Sequence, residues 1–325
     1  MQRTANPLSI STDKHRTTQV FRLCSSVFVC GCLLFSAAVS GQDSTKMPTL
    51  AELQKMTARF APAEIGADIT ALPKNERDAL ARLVDAGRVM DALFLRQVWA
   101  GNDAMLQELA QHAARPVGPR ASRTAAARLH YFLINKGPWD RLDHNKPFIP
   151  GAPAKPESAN FYPAGASKAD VQTWLDGLSG AAKEAATGFF TTIRRGEKGF
   201  VAVPYSIEYQ GELARAADLL REAAQLTSNA TLKKFLTARA DAFLSNDYYA
   251  SDVARMELDA PIEPTIGPYE VYEDEWFNAK AAFEAFITVR DDEESKKLQV
   301  FSQHLQDLEN ALTIDPKYRN AKLGA

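Results

Sequence analysis

The sequence predicts a mainly α-helical protein with a small mixed α/β portion near its C-terminal end. Apolar residues recur at spacings of three and four over about 200 residues, which is the period of amphipathic helices. Runs of β-forming residues appear only late in the chain. The 325 residues are 46% hydrophobic and 24% charged, as in an ordinary globular protein. The net charge of −2 argues against a nucleic-acid partner, because no basic surplus is available to neutralise phosphates.

Residues 1–41 are predicted to be a signal peptide. Four basic residues and one acid precede an uncharged stretch, and its apolar centre, residues 25–39, has about the length of a signal-peptide core. The small residues Val39, Ser40 and Gly41 favour cleavage before Gln42. We therefore expect export to the periplasm or cell surface, with no membrane span after cleavage. An uncleaved signal anchor is the alternative.

A linker at residues 42–48 is followed by a mainly helical region, residues 49–260. Asn75 to Trp99 places its apolar residues on one face of a long helix, and Asn102 or Asp103 is expected to cap the next. Ser167 with Asp170 three residues later predicts a capped helix start. The helical segments predicted here are 75–99, a helix through Leu106 and Leu109, 125–135, one from Ser167, and a hairpin of 208–226 and 229–244.

Residues 137–165 interrupt this helical pattern. Six prolines and three glycines in this stretch exclude a helix, because proline lacks the amide donor and clashes with the preceding turn. Four aromatic residues are interleaved with them: Trp139, Phe148, Phe161 and Tyr162. Since disordered linkers are poor in aromatics, we predict an ordered loop anchored by these rings.

Residues 261–325 are predicted to begin a mixed α/β region that is truncated. The expected elements are strands at Pro268–Glu273 and Phe283–Val289 and a helix from about Asp292 to Leu312. The acidic run Asp291 to Glu294 could attract a cation, but carboxylates at a helix start also cap free amides, and we predict the cap. Arg194 and Arg195, before Gly196, are likewise interpreted as a helix C-terminus.

The sequence offers no recognisable zinc site. None of its five histidines is followed by glutamate, and no two stand four residues apart, the spacing that puts both imidazoles on one helix face. All three cysteines lie inside the predicted signal peptide. We therefore expect no metal ligands and no cofactor in the mature part of this chain.

One segment loosely resembles a Nudix box. Gly211 to Gln225 contains the pair Arg221-Glu222, but Ala217 and Gln225 occupy the places where glutamates would bind magnesium. The sequence therefore argues against Nudix chemistry.

The most informative stretch is Glu263-Pro-Thr-Ile-Gly-Pro-Tyr-Glu-Val-Tyr-Glu-Asp-Glu275, with Ala282-Phe-Glu-Ala-Phe-Ile287 shortly after it. A proline-bounded extended segment holds its side chains rigidly and offers backbone groups to a ligand. This stretch resembles bacterial relatives of dipeptidyl peptidase III. Tyr131 to Asp140, Phe148 to Gly165 and the terminal Ile314 to Ala325 are similar to the same family, so the resemblance covers about residues 49–325.

The resemblance implies an incomplete two-lobed dipeptidyl-peptidase-III-like architecture. Members of the family are zinc exopeptidases that release dipeptides from the N-terminus of short peptides. In the family a strand carboxylate binds the peptide's free amine, and Glu263 matches that position. A buried carboxylate would select chain ends, because a blocked amine would leave it unpaired. Thr265 stands where an active-site tyrosine is expected, which puts that tyrosine's role in doubt.

The family's zinc helix, with its His-Glu-x-x-x-His pattern, would lie beyond Ala325. We therefore expect an N-terminal, peptide-binding portion of a metallopeptidase, inactive alone, from a truncated or split gene or a partial sequence. By the resemblance, its expected partners are short peptides and the missing C-terminal half. Phe283, Phe286 and Ile287 are expected to lack packing partners without that half. The alternative function is a non-catalytic exported helical scaffold or binding protein.

Overall fold

A computed structural model of the chain describes residues 46–115 and 118–323. The predicted signal peptide and the first part of the predicted linker lie outside these residues. Within them, no helix combines the length and the apolarity needed to cross a bilayer.

Most of the described chain is helical. The helices are α1 (Leu50–Thr57), α2 (Lys74–Val98), α3 (Asn102–Ala114), α4 (Pro119–Asn135), α5 (Lys168–Asp176), α6 (Gly180–Thr187), α7 (Tyr205–Glu208), α8 (Gln210–Leu226), α9 (Ala230–Ser245), α10 (Tyr249–Met256), α11 (Asp292–Ser302) and α12 (Leu305–Ala311). A 3₁₀ turn covers Pro316–Tyr318. The predicted fold class, mainly α with a small mixed α/β portion, is confirmed.

The strands of the described chain form antiparallel pairs: β1 (Trp139–Asp140) with β2 (Lys146–Pro147), β3 (Thr191–Gly196) with β4 (Gly199–Pro204), and β5 (Ile262–Glu270) with β6 (Ala282–Val289). The β5–β6 pair packs against α2, which also packs against α8. One hydrophobic core therefore joins the helical region to the late strands.

The helical hairpin forms as predicted from its apolar spacing. Its two predicted stripes are fully buried in the core: Leu213, Ala216 and Leu220 on α8, and Leu232, Phe235, Leu236 and Phe243 on α9. Burying an aliphatic or aromatic side chain stabilises a fold by about 1.5–3 kcal/mol, so these stripes are a main source of cohesion.

Two predicted helix caps are confirmed. Ser167 and Asp170 form a reciprocal capping box at the start of α5. The Asp291 carboxylate accepts hydrogen bonds from the amides of Glu293 and Glu294, which explains the acidic run at the start of α11. Asn102 does not act as a cap. Its side chain is buried and donates to the carbonyls of Leu95 and Lys136 instead.

The proline-rich loop is ordered by its rings, as predicted. Trp139, Phe148, Phe161 and Tyr162 are each no more than 4% exposed. The indole of Trp139 donates to the carbonyl of Pro153, 2.7 Å away, and so closes the loop on itself.

Three sequence predictions about the strands and the last helix are wrong. Arg194 and Arg195 lie in β3 rather than at a helix C-terminus, because the flanking Thr-Thr-Ile and Phe-Val-Ala-Val runs pair across a tight turn. The first late strand begins at Ile262 rather than at Pro268. Prolines are tolerated there because β5 pairs on one edge only, with β6, among the described residues. The last helix is broken between α11 and α12.

Phe283 also differs from expectation. It is fully buried and contacts the rings of Tyr205, Tyr209 and Phe243. Phe286, on the opposite face of β6, is 60% exposed. The expectation of unpartnered residues therefore holds for Phe286 and fails for Phe283. It also fails for Ile287, which is partly buried and packs against the core.

Two buried charged groups tie distant elements together. The Glu76 carboxylate, near the start of α2, accepts hydrogen bonds from Thr227 and Ser228 at the α8–α9 turn. These bonds outweigh the opposing effect of burial and lower the pKa of Glu76. The Lys280 ammonium donates to three oxygens of the α6–β3 connection, at 2.7–2.8 Å.

Candidate functional site

Strand β5 separates an apolar face from a polar one. Ile262 and Ile266 belong to the hydrophobic core, and Pro264 between them and Pro268 after them are also buried. Glu263 and Thr265 point the other way, because successive side chains of a strand alternate between its faces. Opposite them in register lie Thr288 and Phe286 of β6. The outer face of this strand pair is therefore the surface that can meet a ligand.

Glu263, the predicted amine-binding residue, lies near the start of β5. Its backbone carbonyl accepts a hydrogen bond from the Thr288 hydroxyl at 2.9 Å. Its carboxylate is exposed and makes no hydrogen bond or ion pair with the described residues. The sequence led us to expect a buried carboxylate at this position, and the structure places an exposed one.

Thr265 follows on the same face and is held by a cation. The Arg255 guanidinium donates to the Thr265 hydroxyl at 2.6 Å. Position 265 therefore presents a small hydroxyl already engaged by an arginine.

Glu270 occupies the other end of β5 and was missed by sequence reasoning. It lies seven residues after Glu263, about 20 Å away along an extended strand, so the two carboxylates cannot hold the same amine. Glu270 is partly buried, and its Oε2 atom is buried without a hydrogen-bond partner. Its Oε1 atom accepts from the amide of Tyr272, whose side chain is 83% exposed.

The surroundings of the Glu270 carboxylate favour the binding of a cation. Burial raises the pKa of the Glu270 carboxyl, and the charges of Glu273 and Glu284 raise it further, against backbone hydrogen bonds that lower it. Burial also raises the pKa of Glu284. An ammonium group placed there would be favoured, because an opposite charge stabilises a partly desolvated carboxylate.

The segment after Glu270 is firmly anchored. Glu273 is paired with Arg141 at 2.6 Å and with Lys155 at 3.2 Å. Burial favours the neutral acid, but these two cations outweigh it and hold the pKa of Glu273 below its usual range. The next residue, Asp274, accepts a hydrogen bond from the Tyr162 hydroxyl at 2.9 Å. The partly buried Glu270 and the exposed Tyr272 thus lie next to a segment that ion pairs and hydrogen bonds hold in place.

The described residues do not form a zinc site. No three His, Cys, Asp or Glu side chains among residues 46–115 and 118–323 converge into a group that could hold a metal ion. The donor set that zinc needs is therefore not found in this part of the chain.

Comparison with known proteins places part of the chain in a peptidase family. Residues 181–323 match the model of peptidase family M49. Two solved structures share the fold. Dipeptidyl-peptidase III from Corallococcus sp. strain EGB matches with a TM-score of 0.77 and 58% identity, over 86% of this chain and 51% of that one. DPP III from Caldithrix abyssi matches with a TM-score of 0.74 and 45% identity, over 83% of this chain and 50% of that one.

These matches identify the chain as a member of the dipeptidyl peptidase III family over the region that they cover, which confirms the resemblance seen in the sequence. The chain spans about half the length of the matched structures.

A curated relative carries a different name. Nudix hydrolase 3 of Arabidopsis thaliana is 36% identical over 321 residues, which cover 84% of this chain and 41% of that protein. In this chain the segment resembling a Nudix box is part of α8, and Ala217, where a magnesium-binding glutamate would stand, is fully buried.

Proposed function

We propose that the chain supplies a peptide-binding surface of a dipeptidyl-peptidase-III-type exopeptidase and recognises the free N-terminal amine of short peptides. The observation that supports this most is the presence on β5 of two carboxylates, Glu263 and Glu270, that have no cationic partner among the described residues. A carboxylate paired with an ammonium ion selects for chain ends, because an acetylated or internal amine carries no charge.

The two carboxylates are alternative anchors and can be separated by substitution. Glu263 is the position that matches the family's strand carboxylate. Glu270 is the position whose environment favours a cation. Glu263→Gln and Glu270→Gln each remove one negative charge while keeping the side-chain shape. The variant that loses affinity for a free-amine peptide identifies the anchor, and the other should bind like the wild type.

A matched control is available on α3. Glu108 is an exposed glutamate on a helix that packs against α2 and α4, away from β5. Glu108→Gln removes the same charge and should leave peptide affinity unchanged. If Glu108→Gln weakened binding as much as the β5 variants do, the effect would be one of net charge and no anchor would be assigned.

We propose that hydrolysis requires residues that this sequence does not contain. The sequence has no His-Glu-x-x-x-His pattern, and the described residues offer no cluster of metal ligands. The half of the dipeptidyl peptidase III fold that this sequence does not cover would supply them. Metal analysis after dialysis, together with an assay on a dipeptidyl-naphthylamide, tests this. Stoichiometric zinc with turnover from the chain alone would contradict it.

The exposed apolar surface of α11 and α12 supports packing against that other half of the fold. None of the residues of these two helices is buried, and Leu298, Phe301 and Leu308 are each more than half exposed. Exposed apolar side chains on consecutive helices favour association with another surface. The purified protein should therefore associate or aggregate at high concentration when the other half is missing. A protein that stays monomeric and soluble would favour the alternative function, a non-catalytic helical scaffold or binding protein.

We also propose export, from the basic start and apolar core of residues 1–41. N-terminal sequencing of the secreted protein should begin near Gln42. Recovery of the intact Met1 terminus from the cytosol would contradict export.

A further inference from the structure

Two arginines cover part of the outer face of β5. Toward the C-terminal end of the strand lies Arg239 of α9, whose side chain is fully buried. A Cβ atom placed on Gly267 would lie 2.9 Å from Arg239 Nη1, so the strand approaches this guanidinium as closely as a residue without a side chain allows. The same guanidinium donates to the Asp252 carboxylate and to the Tyr269 hydroxyl. Arg239 is therefore enclosed by the fold and out of reach of a ligand.

The second arginine, Arg255 of α10, uses only part of its guanidinium. Its Nη2 atom donates to the Thr265 hydroxyl at 2.6 Å. Its Nε atom is buried without a hydrogen-bond partner. Its Nη1 atom has no partner among the described residues and keeps contact with solvent, since the side chain is only partly buried. Thr265 thus fixes the guanidinium on one side, and the two N–H groups of Nη1 remain available to a ligand.

Among the described residues, Arg255 forms no ion pair. The acids near it, on α10 and in the turn to β5, are each paired with another cation: Asp252 with Arg239, Glu257 with Lys234, and Asp259 with Arg290. A partly desolvated cation without a counter-charge is unfavourable. A carboxylate oxygen brought to Nη1 would therefore be stabilised, because hydrogen bonds between charged groups are strong.

Glu263 complements Arg255 on the same face of the strand. Its carboxylate is exposed and has no partner among the described residues. Two positions of an extended strand separate Glu263 from Thr265, which is about 7 Å. An available anion and an available cation thus lie side by side on the outer face of β5, at the spacing of two extended residues.

A dipeptide carries the matching charges. At neutral pH it has an ammonium group at one end and a carboxylate at the other. Two extended residues span at most about 7 Å, which is the spacing of the two groups on β5. The ammonium group suits Glu263. The carboxylate suits Arg255, because the planar donors of a guanidinium match the two oxygens of a carboxylate.

We propose that Glu263 and Arg255 bind the two charged ends of a free dipeptide, so that Arg255 selects the length of the ligand by taking the carboxylate of its second residue. This inference rests on the proposed function, with Glu263 as the amine anchor, and extends it to the other end of the ligand. In a longer peptide the same guanidinium would meet a neutral carbonyl oxygen, which gains less from a cation than a carboxylate does.

Calorimetry with one dipeptide in three forms tests this inference. The forms are the free dipeptide, its C-terminal amide, which lacks the carboxylate, and its N-acetyl derivative, which lacks the ammonium group. The wild type should bind the free dipeptide roughly tenfold more tightly than the amide, because charge-assisted hydrogen bonds are about twice as strong as neutral ones. Arg255→Met should abolish that preference and keep the preference for the free amine over the acetylated one. Arg255→Lys keeps the charge and should retain part of the preference for the carboxylate.

Arg120→Met is the matched control. Arg120 is an exposed arginine of α4, which packs against α1 and α3. Its replacement removes the same charge and should leave the affinity ratio of the free dipeptide to the amide unchanged. If Arg120→Met lowered this ratio as much as Arg255→Met does, the effect would be one of net charge, and the assignment of Arg255 would be overturned.

The role of Arg255 and the proposed function fail on different results. Equal binding of the free dipeptide and the amide by the wild type would overturn the role of Arg255, and this comparison requires no variant to fold. A lowered melting temperature of Arg255→Met with the wild-type ratio of affinities would also overturn it, because Arg255 would then only join α10 to β5. Equal binding of the free and acetylated dipeptides would instead overturn amine recognition, which is the proposed function.

Discussion

Gly267 lies in β5 with a φ angle of +151°, against the guanidinium of Arg239. Gly267→Ala introduces two separate costs. An L-residue at this positive φ costs about 1–2 kcal/mol. The new Cβ would also sit 2.9 Å from Arg239 Nη1, so a fully buried side chain must shift, at about 1–3 kcal/mol. We expect the free energy of unfolding to fall by roughly 2–5 kcal/mol in total.

Two other glycines separate these costs. Gly199 has a φ of +95° but open space around its Cβ position, so Gly199→Ala should show the backbone cost alone, about 1–2 kcal/mol. Gly66 has open space and no positive φ, so Gly66→Ala should be neutral or stabilise by up to about 1 kcal/mol. Urea denaturation followed by circular dichroism measures all three. If Gly267→Ala cost no more than Gly199→Ala, the close contact between β5 and Arg239 would be refuted.

The remaining predictions concern titrating groups. Burial lowers the pKa of Lys280 from 10.5 to about 8, so the unfolded chain binds more protons between these pH values. The unfolding free energy of the wild type should therefore rise by roughly 3 kcal/mol across that pH window relative to Lys280→Arg, whose side chain stays charged. Parallel profiles of unfolding free energy against pH for the two proteins would contradict this prediction. Glu76→Gln should cost about 1–3 kcal/mol at pH 7. Because the pKa of Glu76 is lowered on folding, the stability difference between the wild type and Glu76→Gln should disappear in urea titrations as the pH falls below 4.5. A stability difference that stays constant with pH would contradict this prediction. Since burial raises the pKa of Glu270, free-amine peptide affinity should rise with pH through a midpoint above 4.5, and Glu270→Gln should flatten that rise in calorimetry.

The helices could be predicted because their signals are local. In the α8–α9 hairpin, the spacing of apolar residues alone identifies the buried faces. The Ser167–Asp170 pair correctly identifies Ser167 as the N-cap residue of α5. Neither inference needs knowledge of a distant contact.

Local sequence signals could not distinguish the β3–β4 hairpin from the end of a helix. Two arginines followed by Gly196 are typical of a helix C-terminus, and they occur equally where a strand enters a tight turn. The decision depends on pairing with Gly199–Pro204, which is a contact between segments.

The candidate site was predicted in part. The strand and its acidic character could be recognised from the proline-punctuated stretch, and Glu263 was singled out on the family's pattern. Glu270 was missed because its partial burial and the nearby charge of Glu284 arise only when β5 and β6 pair in the folded protein. Arg239 gives no signal in the sequence, since an arginine in a helix is usually exposed and only the tertiary structure encloses this one.

Recognition of a peptide's free amine is the central claim, and one calorimetric comparison tests it most directly. The purified chain would be titrated at pH 7 with a short peptide and with the same peptide acetylated at its N-terminus. The free amine should bind at least about tenfold more tightly, because a partly desolvated carboxylate gains an ion pair that the acetylated peptide cannot form. Equal affinity for the two peptides would contradict the claim.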